Sequence, residues 1–435
     1  MFNTFDVSTS ALVAQRQRLN AISSNLANIS TTRNERGEPE AYQPRYVTFQ
    51  TDAELATSGG GLGVRVDSVE YSNEPPLMKY EPGHPDANGN GYVAYPNVDM
   101  TTEFVDALEA TRPKWRRMDE FALIDLLLKE LGDSTEGRLV AIGPGDDAAV
   151  TRLPPGEDLV SSIDSLVAGT HFPADASAEL IGCRALAVAT SDLAAMGAEP
   201  AFCIVALTLP SANAEWVRDF ARGMAMSARQ LGCAIVGGNL ARGPLNIAVS
   251  VHGHAPAGKV LSRAGAREGD LIVVSGDLGG ADLALAHPRL LIVRSRSEIA
   301  TAAPQDPDYP LRRYYLPTPR LELGRLLREV ATAAIDVSDG LLADSAHLAK
   351  CSGLAAHIDA SRVPCAPGCP LERAVRAGDD YELLFTVPPE HWAAVREVAA
   401  SIRERVTSIG SMKTGLGVHA SNIDHSATHG FQHFN

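Results

Sequence analysis

Cysteine is scarce, six in 435 residues, and that is too few for a disulfide framework. The tightest pair, Cys365 and Cys369, lacks a second C-x-x-C partner to complete a zinc site and reads as incidental. Long apolar runs are missing too. No stretch approaches the roughly 18 apolar residues of a membrane-spanning helix, so membrane insertion is not expected. The opening MFNTFDVSTS has neither a basic region nor an apolar one and does not read as a secretory signal. There is no basic surplus: 38 Lys and Arg stand against 53 Asp and Glu, a net charge of −15. No nucleic-acid partner is expected from such a balance. Polyphosphate substrates stay open, because bound cations reverse a local field.

The chain otherwise has the composition of a globular protein, 45% hydrophobic and 21% charged, which excludes collagen, wholesale disorder and a coiled-coil rod. At about 150 residues per domain it has room for roughly three. Two compositions are joined. Residues 1–113 carry 15 acidic and 8 basic side chains and no Cys or Trp, whereas the remainder carries 38 and 30 and all of both. The first part is rich in Ser, Thr, Asn and Gly, as in Ser58-Gly59-Gly60-Gly61; the second is rich in Ala, Leu and Gly-Asp turns. The seam is expected at Thr111–Arg117, where Pro113 stops a helix.

In the first part, Ser8 or Ser10 is placed to cap a helix running to about Asn28. Its Leu12, Leu19, Ile22 and Leu26 form a narrow apolar stripe that needs a partner. Val64–Val69 reads as a strand, and a second helix from about Thr101 carries Phe104, Val105 and Leu108 on one face. Ser24-Asn25-Leu26-Ala27-Asn28, Tyr80-Glu81-Pro82-Gly83-His84-Pro85-Asp86 and Gly91–Val98 resemble the flagellar basal-body rod protein FlgC family. In that family two terminal helices pair and pack into the rod; here most of the second is missing. The resemblance implies possible rod-subunit partners and a basal-body location.

The second part repeats an acidic device, read as short apolar strands ending in Gly and Asp: Ala141–Asp147, Leu159–Asp164, Ala334–Gly340 and Ala377–Glu382, with Asp192 inside an Ala- and Leu-rich helix from Arg184 to Met196. A single Gly-Asp is usually only a turn. Gathered by a fold, each close carboxylate pair would repel by about 4 kcal/mol at about 4 Å and an effective dielectric of 20, so clustering calls for cations. All-oxygen ligands suit Mg²⁺, Mn²⁺ or Ca²⁺, and Mg²⁺ with a phosphate substrate is the natural reading. Two lookalikes fail. Gly253–Val260 misses the Ser or Thr of a P-loop, and Gly276-Asp277-Leu278-Gly279-Gly280 has the wrong spacing for a dinucleotide loop. His419, His425, His429 and His433 read as a solvated polar tail.

From Asp119 onward, Glu120–Ile124, Gly145-Asp146-Asp147, His171-Phe172-Pro173, Ser191–Ala198, Arg242–Leu245, Asp336–Gly340 and Asp380–Leu383 resemble the thiamine-monophosphate kinase family. The resemblance implies a mixed α/β (α+β) fold of two domains, 114–267 and 268–435, shared with aminoimidazole ribonucleotide synthetase. It also implies a homodimer through the first domain, and a small helix-plus-β rod segment, 1–113, precedes both. It implies phosphoryl transfer from ATP to thiamine monophosphate with several Mg²⁺ ions, in the cytoplasm. Mg²⁺ would lie on Asp147, Ser162, Ile163 (backbone oxygen), Asp164, Asp192, Asn239, Asp336 and Asp339. ATP would meet Gly238, Asn239, Arg263 and Ser338, and the thiamine phosphate would meet His171, Asp379 and Phe431. Asp192, Asp339 and Arg263 would carry catalysis.

Four positions depart from the family pattern: Asn239 for aspartate, Ile163 for threonine, Asp379 for glutamate and Phe431 for tyrosine. A different class of reading, a structural rod subunit carrying a passenger kinase domain, conflicts with the first only for the whole chain. Rod subunits leave through an export channel that a folded domain of about 320 residues should not thread, so the enzyme reading is preferred. Other substrates of the same superfamily form a third reading, which the long Ser191–Ala198 match argues against.

Overall fold

The computed structural model describes residues 4–34, 36–52, 63–111 and 120–423. It comprises two compact units, Met1–Arg117 and Met118–Asn435.

The first unit contains helix α1 (Thr4–Ala27), strands β1 (Arg45–Asp52), β2 (Gly63–Tyr71), β3 (Leu77–Tyr80) and β4 (Tyr92–Tyr95), and helix α2 (Met100–Thr111). β1 pairs antiparallel with β2, and β3 with β4. The helix starts earlier than the expected Ser8 or Ser10 cap, at Thr4. The Ser10 hydroxyl instead accepts the amide of Val64 at 3.1 Å, so it anchors β2 rather than capping α1. Ile22 is buried, with Leu19 and Leu26 half-buried beside it, and α2 supplies the partner that this stripe requires. The meeting face of α2 differs from the one expected. Phe104 is 55% exposed, whereas Glu103 is only 6% exposed. The reason is polar: Asn25 Nδ2 donates to Glu103 Oε1 at 2.8 Å, and Arg18 pairs with Asp106 at 3.2 Å. The side chains of Leu12, Val105 and Leu108, the loop with Ser58–Gly61 and the seam at 112–117 lie outside the described residues.

The second unit opens with α3 (Glu120–Leu131) and the short antiparallel pair β5 (Val140–Ile142) and β6 (Val150–Thr151). Then follow β7 (Glu157–Val167), α4 (Ala178–Ala195), β8 (Glu199–Leu209), α5 (Ala214–Leu231), β9 (Ala234–Arg242) and β10 (Asn246–Pro256). These strands form one sheet in the order β7-β10-β8-β9, antiparallel except for the parallel pair β8–β9. No helix follows the Gly253–Val260 turn, so the P-loop lookalike is excluded by context.

The rest comprises β11 (Leu271–Ser275), α6 (Gly280–Ala284), α7 (Tyr309–Tyr315), α8 (Leu321–Leu327), β12 (Ala333–Val337), α9 (Leu341–Ser352), β13 (Ala355–Asp359), α10 (Leu371–Ala374), β14 (Glu382–Val387), α11 (Trp392–Ser401), β15 (Val406–Lys413) and β16 (Gly417–Ser421). Its six-stranded sheet runs β12-β14-β11-β15-β13-β16. His419 is not in a tail: it belongs to β16, its ring 4.6 Å from that of His357 on the neighbouring strand. His425, His429 and His433 lie outside the described residues.

α4 is buried along nearly its whole length, which is why its apolar residues show so little one-sided pattern. It packs on α5, and the core around the two also takes in Leu311, Tyr314 and Tyr315 from α7.

Candidate functional site

α4 brings the acidic segments together. Ser162 Oγ on β7 donates to Asp192 Oδ2 at 2.5 Å, and Ser191 Oγ donates to Asp336 Oδ2 on β12 at 2.7 Å. Asp164 lies on the same face of β7 as Ser162, two residues on. It is close enough to feel Asp192, Asp339 and Asp379, with Arg184 opposing them. The strands differ from the expected plan. Asp164 sits inside β7, which continues to Val167, and Asp379 and Asp380 precede β14 rather than ending a strand. The side-chain alternation of β7 is what turns Asp164 toward α4, so no terminal turn is needed.

Crowding shows in the acidities. Burial, then the charge of Asp192, pushes the Asp164 carboxyl up to about 6. Burial and the charge of Asp192 likewise push Asp336 up to about 7, with Ser191 and Arg263 pulling the other way. These carboxylates resist ionising together, the condition that cations relieve. Among the described residues no group of three or more His, Cys, Asp or Glu stands close enough to hold a metal ion by itself. The donor set still suits Mg²⁺, a hard ion that takes one or two carboxylates and completes its shell with water and substrate phosphate.

The remaining expected residues divide. Ser338 and Asp339 lie on the loop between β12 and α9, and Arg263 is exposed before β11 yet within electrostatic reach of Asp336. Near the end of β7, His171 Nδ1 accepts the amide of Val167 at 3.0 Å, and its carbonyl accepts the Tyr314 hydroxyl at 3.0 Å. Asp147 is on the exposed turn after β5, its amide donating to Asp146 Oδ1 at 2.8 Å. Gly238 is opposite Val205, in the row that runs through Val249 to Asp164. Asn239 is opposite Ala206, in the row that runs through Ala248 to Ser165, and therefore belongs to the other face of the sheet from Asp164. Ile163 shares that other face and is 64% exposed. Phe431 lies outside the described residues.

Two further side chains organise the site. Asp344, in the first turn of α9, accepts the amides of Ser338, Asp339 and Gly340, each at 3.1 Å. Burial, then the charges of Asp336 and Asp339, nevertheless push it up to about 8. Its sequence signal is an acid in the first turn after Asp-Gly. Arg184 is only 1% exposed and pairs with Asp379 at 2.8 Å. Its signal is a lone arginine inside an Ala- and Leu-rich helix. Gly378 allows the two acidic loops to meet, since a Cβ there would collide with the carbonyl oxygen of Ser338.

Residues 145–255 match the family described as AIR synthase related protein, N-terminal domain, and residues 267–420 its C-terminal counterpart. Residues 5–33 match the flagella basal body rod protein family. The thiamine-monophosphate kinase of Salmonella typhimurium is 37% identical over 285 residues, covering 64% of this chain and 86% of the relative. A crystal structure of thiamine-monophosphate kinase from Stenotrophomonas maltophilia is similar at TM-score 0.62 and 41% identity, over 70% of this chain and 97% of that one. The structure of AaThiL complexed with AMPPCP and TMP is similar at TM-score 0.56 and 30% identity, over 72% of this chain and 97% of that one.

Proposed function

Since the chain belongs to the thiamine-monophosphate kinase family, we propose that its acidic cleft transfers the γ-phosphoryl group of ATP to thiamine monophosphate, giving thiamine diphosphate and ADP. The observation that carries this assignment to particular residues is the convergence of Asp164, Asp192, Asp336 and Asp339 around α4. A phosphate oxygen of thiamine monophosphate forms the new P–O bond as the bond from the γ-phosphorus to the ADP oxygen breaks. That oxygen is already largely ionised near neutral pH, so no strong general base is required, and catalysis rests on positioning and charge neutralisation.

Asp164, Asp192, Asp336 and Asp339, with Ser162, form the proposed Mg²⁺ set; Asp147, the Ile163 backbone oxygen and Asn239 join it by resemblance alone. When bound, Mg²⁺ neutralises phosphate oxygens as charge moves in the transition state. Arg263 would add a second source of positive charge, and Ser338, Gly238 and Asn239 would hold ATP. His171, Asp379 and Phe431 would hold the thiamine phosphate.

The halves 114–267 and 268–435 are proposed as the two domains of the enzyme. Exposed Leu159, Ile163 and Ile204 on one face of the first sheet support a homodimer across that sheet. Residues 1–113 are proposed as a truncated rod-protein segment, supported by the match at 5–33 and the α1–α2 pairing. A cytoplasmic location is proposed because the reaction consumes ATP. Among the described residues no helix is long and apolar enough to cross a membrane.

The test is thiamine diphosphate formation by the full chain from thiamine monophosphate, ATP and Mg²⁺, beside the Asp192→Ala variant. Product from the first and loss in the second is expected. A folded wild-type chain that forms none would overturn the assignment.

A further inference from the structure

We propose that Arg184 is a positioning residue for Asp379 and sets the affinity for thiamine monophosphate without touching the reacting phosphates. This inference rests on the functional reading above, which assigns Asp379 to the thiamine side of the site. Arg184 reaches Asp379 from α4, in the first half of the enzyme, whereas Asp379 belongs to the loop before β14 in the second.

The geometry is one-sided. Arg184 Nη2 pairs with Asp379 Oδ1 at 2.8 Å, and the Tyr381 hydroxyl donates to that same Oδ1 at 2.9 Å. Oδ2 receives neither, and the Asp379 side chain keeps 37% of its surface exposed. The anchor is rigid. Arg184 Nη1 donates to the Tyr314 carbonyl at 2.6 Å, and its guanidinium lies over the Tyr314 ring at 4.3 Å and near that of Tyr381 at 5.8 Å. Burial disfavours its charge, but Asp379 and the two tyrosines more than offset this.

The loop supports the same reading. Asp379 and Tyr381 have positive φ, 68° and 52°, a conformation that costs energy for residues other than glycine. Such a backbone persists only where its surroundings hold it. The amide of Asp379 donates to Ser338 O and that of Tyr381 to Val337 O, at 2.8 and 2.9 Å. Both contacts thus fall on one carboxylate oxygen of a side chain that stays partly exposed. Thiamine carries a permanent thiazolium charge and an amino group, and a carboxylate anchored through one oxygen is matched to either. The shorter Asp379, in place of glutamate, increases the dependence on this anchor because fewer rotatable bonds can compensate.

The test compares Arg184→Gln, Arg184→Lys, Tyr381→Phe and Asp379→Asn, together with the Arg184→Gln/Asp379→Asn double variant, in steady-state kinetics. Thiamine monophosphate binding without ATP is measured by calorimetry, and circular dichroism checks folding. Arg184→Gln is expected to raise the KM for thiamine monophosphate about tenfold while the KM for ATP changes by less than about twofold. Arg184→Lys should recover part of the loss, and Tyr381→Phe, which removes only a hydroxyl, should reproduce a smaller part. In the double variant the arginine change should add little to Asp379→Asn, because it acts through that carboxylate. Equal losses for both substrates, or full additivity, would overturn the proposal. So would unchanged binding in Arg184→Gln beside an active wild type, which leaves the kinase assignment standing. A wild type that binds no thiamine monophosphate sinks both.

Discussion

Ser191 and Asp336 lie 145 positions apart in the chain and share a 2.7 Å hydrogen bond. Ser191 belongs to α4, whose next residue is Asp192, so one turn of helix buttresses one acid and presents another. The two carboxylates are neighbours because of this helix, and each raises the electrostatic cost of ionising its surroundings.

That cost has a measurable sign. In the metal-free folded chain Asp164 and Asp336 hold protons up to about 6 and about 7, above the ordinary value of 3.8. The folded state therefore binds more protons than the unfolded one, and the contribution of these groups to stability falls as pH rises through those values. Added Mg²⁺ should remove the penalty. The rise in Tm on adding Mg²⁺ is expected to be larger at pH 8 than at pH 6 (about one unit either side of the Asp336 value). Equal rises at both would contradict the assignment.

Glu382 is fully buried between two arginines, Arg313 at 2.9 Å and Arg320 at 2.6 Å. Burial pushes its carboxyl up, but Arg320 and Arg313 outweigh it and hold it at about 2, below the ordinary 4.5. Its contribution is thus present above the ordinary value and lost as pH falls toward 2. Glu382→Gln removes the anion shared by two buried guanidinium groups, leaving Arg320 with Glu404 and Arg313 with the more distant Asp380, and should cost about 3–5 kcal/mol in denaturant unfolding near neutral pH. A loss below about 1 kcal/mol would show that the network is dispensable.

α4 and α5 cross at glycines. A Cβ on Gly223 would strike the carbonyl oxygen of Glu179, and one on Gly182 would strike that of Phe220. Backbone cannot yield as a flexible side chain can, so Gly223→Ala should cost at least about 2 kcal/mol. Thermal melting of the full chain reads this directly, and an unchanged Tm would mean that the helices can slide apart without loss.

In the first unit, buried Asn25 donates to Arg45 O and Glu103 Oε1 and accepts from the Arg45 amide and the Tyr42 hydroxyl, at 2.8 to 3.3 Å. Asn25→Ala strands a buried carboxylate whose acidity burial already weakens. It should loosen the α1–α2 pairing by about 2–3 kcal/mol and leave thiamine diphosphate formation unchanged. Faster amide exchange in α1 checks the first claim; reduced kinase turnover would refute the second.

The mixed α/β fold was legible through the family resemblance, and Asp164, Asp192, Asp336 and Asp339 could be singled out because those acids lie in short distinctive runs. Arg184 was not legible: its partner is 195 positions away, and nothing local distinguishes a buried ion pair from a solvated arginine. The face taken by Asn239 was also hidden, since it depends on the β8–β9 register. Phe104 misled for a related reason. An apolar stripe predicts burial only when no polar pair such as Asn25–Glu103 claims the interface.

Leu311, Tyr314 and Tyr315 come late in the chain yet complete the core around α4 and α5. The first sheet and its helices therefore cannot finish burying their apolar surface until residues some 60 positions beyond the first sheet have arrived. During synthesis that surface waits for its cover, and a chain cut after β10 would be left with an open core. The two halves should melt in one cooperative transition, each serving as part of the other's solvent-excluded interior.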